Sequence, residues 1–261
     1  MTPQTDTIHF LEVSACNVDE CGIYCIKNKR TPGYRAKVEW VRSKPNKELR
    51  IKIAANKQGK QLGFIEYMPS ESAWRPIRAA NYYFIQCVAV FGKSARHKQI
   101  ASSLLAMCEE DAKTNGKAGV CTMTSDGPWM ADKTLFEKNG FTSVANCDRF
   151  ALMVKSFDRH APMPSFIDWT KKRSKYKGWN LLYADQCPWH HKSVTDIKEA
   201  ALEHGIELKV TKLRTPEQAQ NAPSGYGTFN LLHNGKLLGD HYLSRTRFEN
   251  ILRKETKSKL L

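Results

Sequence analysis

Hydrophobic positions alternate with charged ones along Glu48–Ala55, where Leu49, Ile51 and Ile53 recur at every second residue. That period of two predicts a half-buried strand. Asn56–Lys60, with Gly59, reads as a turn and Gln61–Met68 as the return strand of a hairpin. Thr7–Val13 reads as a first strand. Tyr82–Phe91 is almost wholly apolar and β-prone, as a central strand buried on both faces is. Gln99–Lys113 spaces Ile100, Leu104, Leu105 and Cys108 along one helical face, and Asn115-Gly116 stops it. Ala118–Thr124 predicts a strand, Met130–Lys138 a helix ended by Asn139-Gly140, and Phe141–Val144 and Arg149–Val154 two closing strands.

The pattern then breaks. Asp158–Pro164 holds two prolines, and Lys171–Gly178 has five basic residues in eight. An interdomain linker is expected over 159–178, between domains at 1–158 and 179–261. A shorter α/β pattern follows: strand Trp179–Tyr183, loop Asp185–Trp189, helix Lys192–Glu203, strand Ile206–Thr211 and helix Pro216–Ala222. Gly227–Leu232 and Leu237–Gly239 flank the hairpin signal Asn234-Gly235, and Ser244–Lys254 is a last helix.

Composition narrows the classes. A chain of 261 residues with 41% hydrophobic and 26% charged positions suits folded domains and argues against wholesale disorder. No apolar run is long enough to cross a bilayer, so no membrane partner is expected. The first ten residues lack a secretory signal, and a cytoplasmic location is expected. The net charge of +15, divided evenly between the two halves, favours polyanionic partners, among them a phosphorylated cofactor. Eight cysteines in a chain of this length do not make a disulfide scaffold.

The apolar strand, the loop Gly92–Ala101 and the amphipathic helix together predict a phosphate cradle. Lys93, Arg96, His97 and Lys98 stand where unpaired N–H groups meet the positive end of a helix dipole. The ordinary alternative is a solvated basic loop.

Here the sequence resembles the GNAT family of acyl-CoA-dependent N-acyltransferases. The run Arg96-His97-Lys98-Gln99-Ile100-Ala101 is similar to their pyrophosphate loop, with Gln99 in place of a glycine. Phe136-Glu137-Lys138-Asn139-Gly140-Phe141 is similar to their Tyr-x-x-x-Gly-Phe segment. The resemblance covers about Ile8 to Phe157. Within the family, the chain resembles the YoaP-type branch through Ile65–Ile77, Tyr83–Val90 and Ala184–Pro188.

The resemblance implies an α/β fold of the α+β kind. Its GNAT-like sheet would be mixed, mostly antiparallel and flanked by helices, with a smaller thioredoxin-like domain behind it. It implies acetyl-CoA as cofactor and an amine as acceptor. The pantetheine would lie along Val88, Ala89 and Val90, and the diphosphate on Arg96, His97, Lys98, Gln99, Ile100 and Ala101. Backbone near Cys87 would face the thioester oxygen. Phe136 stands where relatives hold a tyrosine acid and cannot donate a proton. Candidate bases are Glu66, Glu71 and Asp126, with Asp132 also read as a helix-dipole charge. Trp74 would overhang the acceptor, or else plug the core.

Cys16, Cys21 and Cys25 do not match a zinc-finger spacing, and no metal is expected. Cys87, Cys108 and Cys121 read as packing. Cys187, in Asp185-Gln186-Cys187-Pro188-Trp189-His190, sits where a thioredoxin-like fold holds its first redox cysteine, with His190 replacing the second. A reactive thiol, a soft-metal site with His190 or His191, and a plain structural appendage stay open. The leading expectation is an acetyl-CoA-dependent N-acetyltransferase for a small amine. Its rivals are a thiol- or metal-binding protein acting through Cys187 and a nucleic-acid-associated protein, which the absence of an aromatic–basic sheet pattern disfavours.

Overall fold

The alternating strands around Ile51 and the apolar strand at Tyr82 meet in one sheet. The computed structural model describes residues 7–45, 48–90, 92 and 99–257. They form two units. The first takes in Met1–Lys27, Val38–Ala73 and Ile77–Phe166; the second takes in Asn28–Lys37, Trp74–Pro76 and Ile167–Leu261.

The first unit holds β1 (Ile8–Val13), β2 (Arg50–Asn56), β3 (Gln61–Pro69), β5 (Tyr82–Val90), β6 (Gly119–Thr124), β7 (Thr142–Cys147) and β8 (Phe150–Ser156). They order as β1-β2-β3-β5-β6-β8-β7. Every neighbouring pair is antiparallel except β5 and β6, which run parallel. The short strands β4 (Ile77–Arg78) and β9 (Ser165–Phe166) pair separately. Helix α3 (Ile100–Thr114) packs Ile100, Leu104, Leu105 and Cys108 on Ile65, Tyr67, Ile85 and Val120, the stripe its spacing predicts. Helix α4 (Lys133–Lys138) adds Phe136 to the same core.

Two helices precede α3: α1 (Val18–Cys21) and α2 (Pro32–Arg42). The sequence reading assigned neither. In α2 the buried Tyr34, Val38 and Val41 do follow a helical spacing, but Pro32-Gly33 at its start reads as a turn.

The 159–178 stretch, expected as a linker, is not free chain. Ser165–Phe166 is β9, and Thr170–Lys175 is a 3-10 helix. Arg173 Nε donates to the carbonyl of Pro223 at 3.0 Å and Lys172 Nζ to Asn221 Oδ1 at 2.9 Å, which ties basic residues of this stretch down within the second unit.

The second unit has its own sheet in the order β11-β10-β12-β13. β10 (Trp179–Tyr183) runs parallel to β11 (Leu208–Lys212) and antiparallel to β12 (Phe229–His233); β12 and β13 (Lys236–Gly239) form the Asn234-Gly235 hairpin. Helix α5 (Trp189–Glu203) starts three residues before its predicted place, directly after Pro188, whose ring fixes a helical φ of −66°. Helices α6 (Pro216–Gln220) and α7 (Arg245–Lys257) complete it. Leu181, Ile197, Ala200, Phe229, Leu231 and Phe248 form its buried centre.

Candidate active site

β5 and β6 pair only from Tyr82 opposite Gly119 to Ile85 opposite Thr122. β5 then runs on to Val90, still bonded to β3 as far as Gly63. Among the described residues, no strand pairs with β5 over Val88–Val90 on the β6 side. A bulge sits at the parting: Glu66 faces Cys87 and Tyr67 faces Ile85, so Gln86 is an extra residue on β5. Such an insertion bends the strand and increases its twist. A free edge of this kind bonds an extended, amide-bearing ligand as it would another strand.

Several predicted residues meet at this fork. Val88 is buried, and Cys87, Ala89 and Val90 are partly exposed. Glu66 is buried and stands opposite Cys87 on the neighbouring strand. Ile65 and Tyr67 turn toward α3, so Glu66 between them projects from the other face. Phe136 is fully buried, edge-on to Phe141 at 5.4 Å and in the same core as Val88.

Helix α3 begins beside the free edge, where Ile100 lies against Gly63 and Gly63 pairs with Val90. Its first turn, with Ile100 and Ala101, carries no acidic residue, so its N–H groups remain suited to an anion. Gln99 caps it at φ +53°, the left-handed region that favours glycine. Arg96, His97 and Lys98, like Phe91 at the expected end of β5, lie outside the described residues.

Of the remaining candidates, Glu71 and Asp132 serve a local turn and a helix cap. Glu71 is exposed and accepts the backbone N–H of Asn81 at 2.8 Å, forming the turn that enters β5 at the end away from the fork. Asp126 is exposed in the loop after β6. That loop is held by Ser125 Oγ, which accepts from Arg149 Nη1 at 2.8 Å and from the N–H of Gly127 at 3.0 Å. Asp132 is the N-cap of α4, accepting from Thr134 N at 2.7 Å, and these bonds hold its carboxyl below the usual range. Trp74 belongs to the second unit and is fully buried there. Its carbonyl lies 2.5 Å from where a side chain on Gly227 would begin, and Gly227 has φ +72°, so only glycine fits.

The sequence reading missed Thr122 and Thr124. Both fall on the α3 side of β6 with Val120, and the available signal was two hydroxyls alternating with apolar residues in a buried strand. Thr122 Oγ1 donates to the Ile85 carbonyl at 2.9 Å, at the last paired rung.

In the second unit, Cys187 is partly exposed just before α5, and the N–H of His190 donates to its carbonyl at 3.1 Å. His190 is 1% exposed, with Nδ1 2.9 Å from the Ala184 carbonyl. Arg75 donates to the Tyr226 carbonyl at 2.7 Å and lies 4.4 Å over the Tyr226 ring. Among the described residues, no group of three or more His, Cys, Asp or Glu is placed to hold a metal ion, and no helix is long and apolar enough to cross a membrane.

Comparison with known proteins adds the following. A family described as YoaP-like matches residues 207–250. The chain is 28% identical over 249 residues to a Bacillus subtilis (strain 168) protein named "Uncharacterized N-acetyltransferase YoaP", covering 93% of this chain and 98% of that one. Among solved structures it is similar to the PaiA N-acetyltransferase from Thermoplasma acidophilum in complex with coenzyme A, at 17% identity and TM-score 0.42, over 58% of this chain and 99% of that one. It is also similar to an acetyltransferase of the GNAT family from Staphylococcus aureus Mu50, at 16% identity and TM-score 0.40, over 58% of this chain and all of that one (100%).

Proposed function

We propose that this chain is an acetyl-CoA-dependent N-acetyltransferase acting on a small amine. The observation that carries the reading is the stretch Val88–Val90 of β5, which runs on past the last rung with β6 and the bulge at Gln86 and adjoins the start of α3. The similarity to the Bacillus subtilis protein over nearly the whole chain supports it.

The residues present suit the cofactor. Backbone groups of Val88, Ala89 and Val90 would hold the pantetheine arm, and the first N–H groups of α3 with Arg96, His97 and Lys98 the diphosphate. Bound acetyl-CoA supplies an acetyl group activated as a thioester. N–H groups near Cys87 and Val88 would hold the thioester oxygen as it gains charge. Glu66, beside Cys87, is the favoured base for the amine's proton, and Asp126 the second choice. Glu71 is already engaged in a turn. Phe136 contributes an apolar wall and no proton.

Thiol release from acetyl-CoA over a panel of small amines tests this. Turnover that falls with Glu66→Gln and with Arg96→Glu is expected. No release with any amine, together with no calorimetric binding of acetyl-CoA at millimolar concentration, overturns it.

We read the second unit as thioredoxin-like. Support comes from its element order β-α-β-α-β-β-α, its strand order β11-β10-β12-β13, and Cys187 at the start of its longest helix. His190 in place of a second cysteine argues for a single reactive thiol rather than a disulfide exchanger. Iodoacetamide at neutral pH should label Cys187 ahead of the other seven cysteines; uniform slow labelling makes the unit an inert appendage.

A further inference from the structure

Val120, Thr122 and Thr124 follow one another along the face of β6 that α3 covers. Val120 packs into the core with Leu104 and Leu105. Thr122 gives its hydroxyl to the Ile85 carbonyl at 2.9 Å. Thr124 is the next residue on that face, level with the part of β5 that has already parted from β6. Its side chain is 0% exposed, and its Oγ1 has no hydrogen-bond partner among the described residues. The backbone beside it is committed elsewhere, since Thr124 pairs with Ala151 of β8.

A buried hydroxyl with no partner destabilises the fold, and a valine of the same shape would avoid that. Local choices that work against stability concentrate where a chain serves a ligand. The setting agrees with this. The Thr124 hydroxyl is on the same side of the sheet as α3, whose N-terminus starts at Ile100 next to the free β5 edge. An extended arm running from that helix start into the gap passes β5 on one side and Thr124 on the other.

We infer that the Thr124 hydroxyl donates a hydrogen bond to a carbonyl oxygen of the pantetheine arm of acyl-CoA when the arm lies between β5 and β6. This rests on the acyltransferase reading above. β5 supplies backbone partners along one edge of the arm, and Thr124 supplies the donor that the departed strand would otherwise have provided. The arm reaches the hydroxyl by displacing the side chains that cover it in the free chain. Thr124 is thus a binding residue, and the bond is made to the cofactor before any chemistry.

The test compares Thr124→Val, Thr124→Ser and Thr124→Ala in the full chain. Calorimetry is run with acetyl-CoA and with CoA, and thermal unfolding without ligand. Thr124→Val should weaken binding of both ligands roughly three- to tenfold, the value of one net hydrogen bond. It should also raise the unfolding midpoint of the free protein by roughly 2–4 °C. Thr124→Ser should bind within about twofold of the unaltered chain, because the hydroxyl is retained. Thr124→Ala should lose the same affinity as Thr124→Val while being less stable, which separates binding from packing. Unchanged affinity in both Thr124→Val and Thr124→Ala overturns this inference alone, as does a free protein destabilised by Thr124→Val, which would show a buried water already satisfying the hydroxyl. No acetyl-CoA binding by the unaltered chain overturns the acyltransferase reading and this inference with it.

Discussion

The Thr122 hydroxyl donates to the carbonyl of Ile85 at 2.9 Å, and that residue pair is also the last rung between β5 and β6. The bond closes the sheet just before the strands part. Thr122 is 3% exposed, so water offers no ready replacement. Thr122→Val removes the donor at constant shape and should cost about 1 kcal/mol. Denaturant unfolding at neutral pH checks this. The expected sign is opposite to that of Thr124→Val two residues on, and equal effects from the two substitutions would contradict the picture of a fork between them.

Asp111 on α3 gathers donors from two strands: the Tyr67 hydroxyl, Lys52 Nζ at 3.0 Å and Arg50 Nη1 at 3.4 Å. Burial opposes its charge, but the bonds from Tyr67 and Lys52 and the two cations outweigh burial and hold its carboxyl below the usual range. Asp111→Asn leaves two largely buried cations uncompensated and should cost about 2–3 kcal/mol at pH 7. Because the folded value lies below the unfolded one of about 3.9, the contribution is present at neutral pH and disappears as pH falls through the folded value. Urea midpoints of the two proteins should therefore converge in acid. A gap as wide at pH 3 as at pH 7 would show that shape, not charge, is lost.

Gln99 holds φ +53° at the head of α3, where left-handed backbone costs a side-chain-bearing residue about 1 kcal/mol. Gln99→Gly relieves that strain and lets backbone approach a phosphate more closely. The variant should unfold no more easily than the parent and bind acetyl-CoA at least as tightly, as calorimetry would show. Weaker binding would mean that the glutamine side chain itself holds the cofactor.

Ile100, Leu104, Leu105 and Cys108 mark α3 because burial of one helix face imposes a period of 3.6. Ile51 and Ile53 alternate with charged residues and so mark a strand, but β2 is buried on both faces, Lys52 included, where the alternation predicts a half-buried one. The fork is not legible in that way. β5 and β6 are buried on both faces, and nothing in YYFIQCVAV says that Gln86 is an extra residue. The resemblance, not periodicity, pointed to Val88–Val90. Trp74 shows a second limit. Its neighbours in sequence place it in a loop of the first half, yet its packing partner is the backbone of Gly227, a long-range approach that no local pattern encodes. Glu66 and Cys87 come together through strand register, which a sequence read segment by segment does not fix.

His190 gives the second unit a pH dependence whose sign can be worked out. Burial is the main cause that lowers its pKa, to about 4; the Nδ1 contact with the Ala184 carbonyl works the other way, and the charges of Arg75 and Lys37 add to the lowering. Above pH 7 the imidazole is neutral in both folded and unfolded chain, and it contributes no pH dependence. Below about 6.5 the unfolded chain takes up a proton that the folded chain refuses. Stability should therefore fall between pH 6.5 and pH 4, by a total on the order of 3 kcal/mol. His190→Gln keeps a donor for the Ala184 carbonyl and has no charge to gain. Hydrogen exchange at the α5 amides, corrected for intrinsic rates, should show protection falling with pH in the parent and not in His190→Gln. The same decline in both proteins would place the sensitive group elsewhere in the unit.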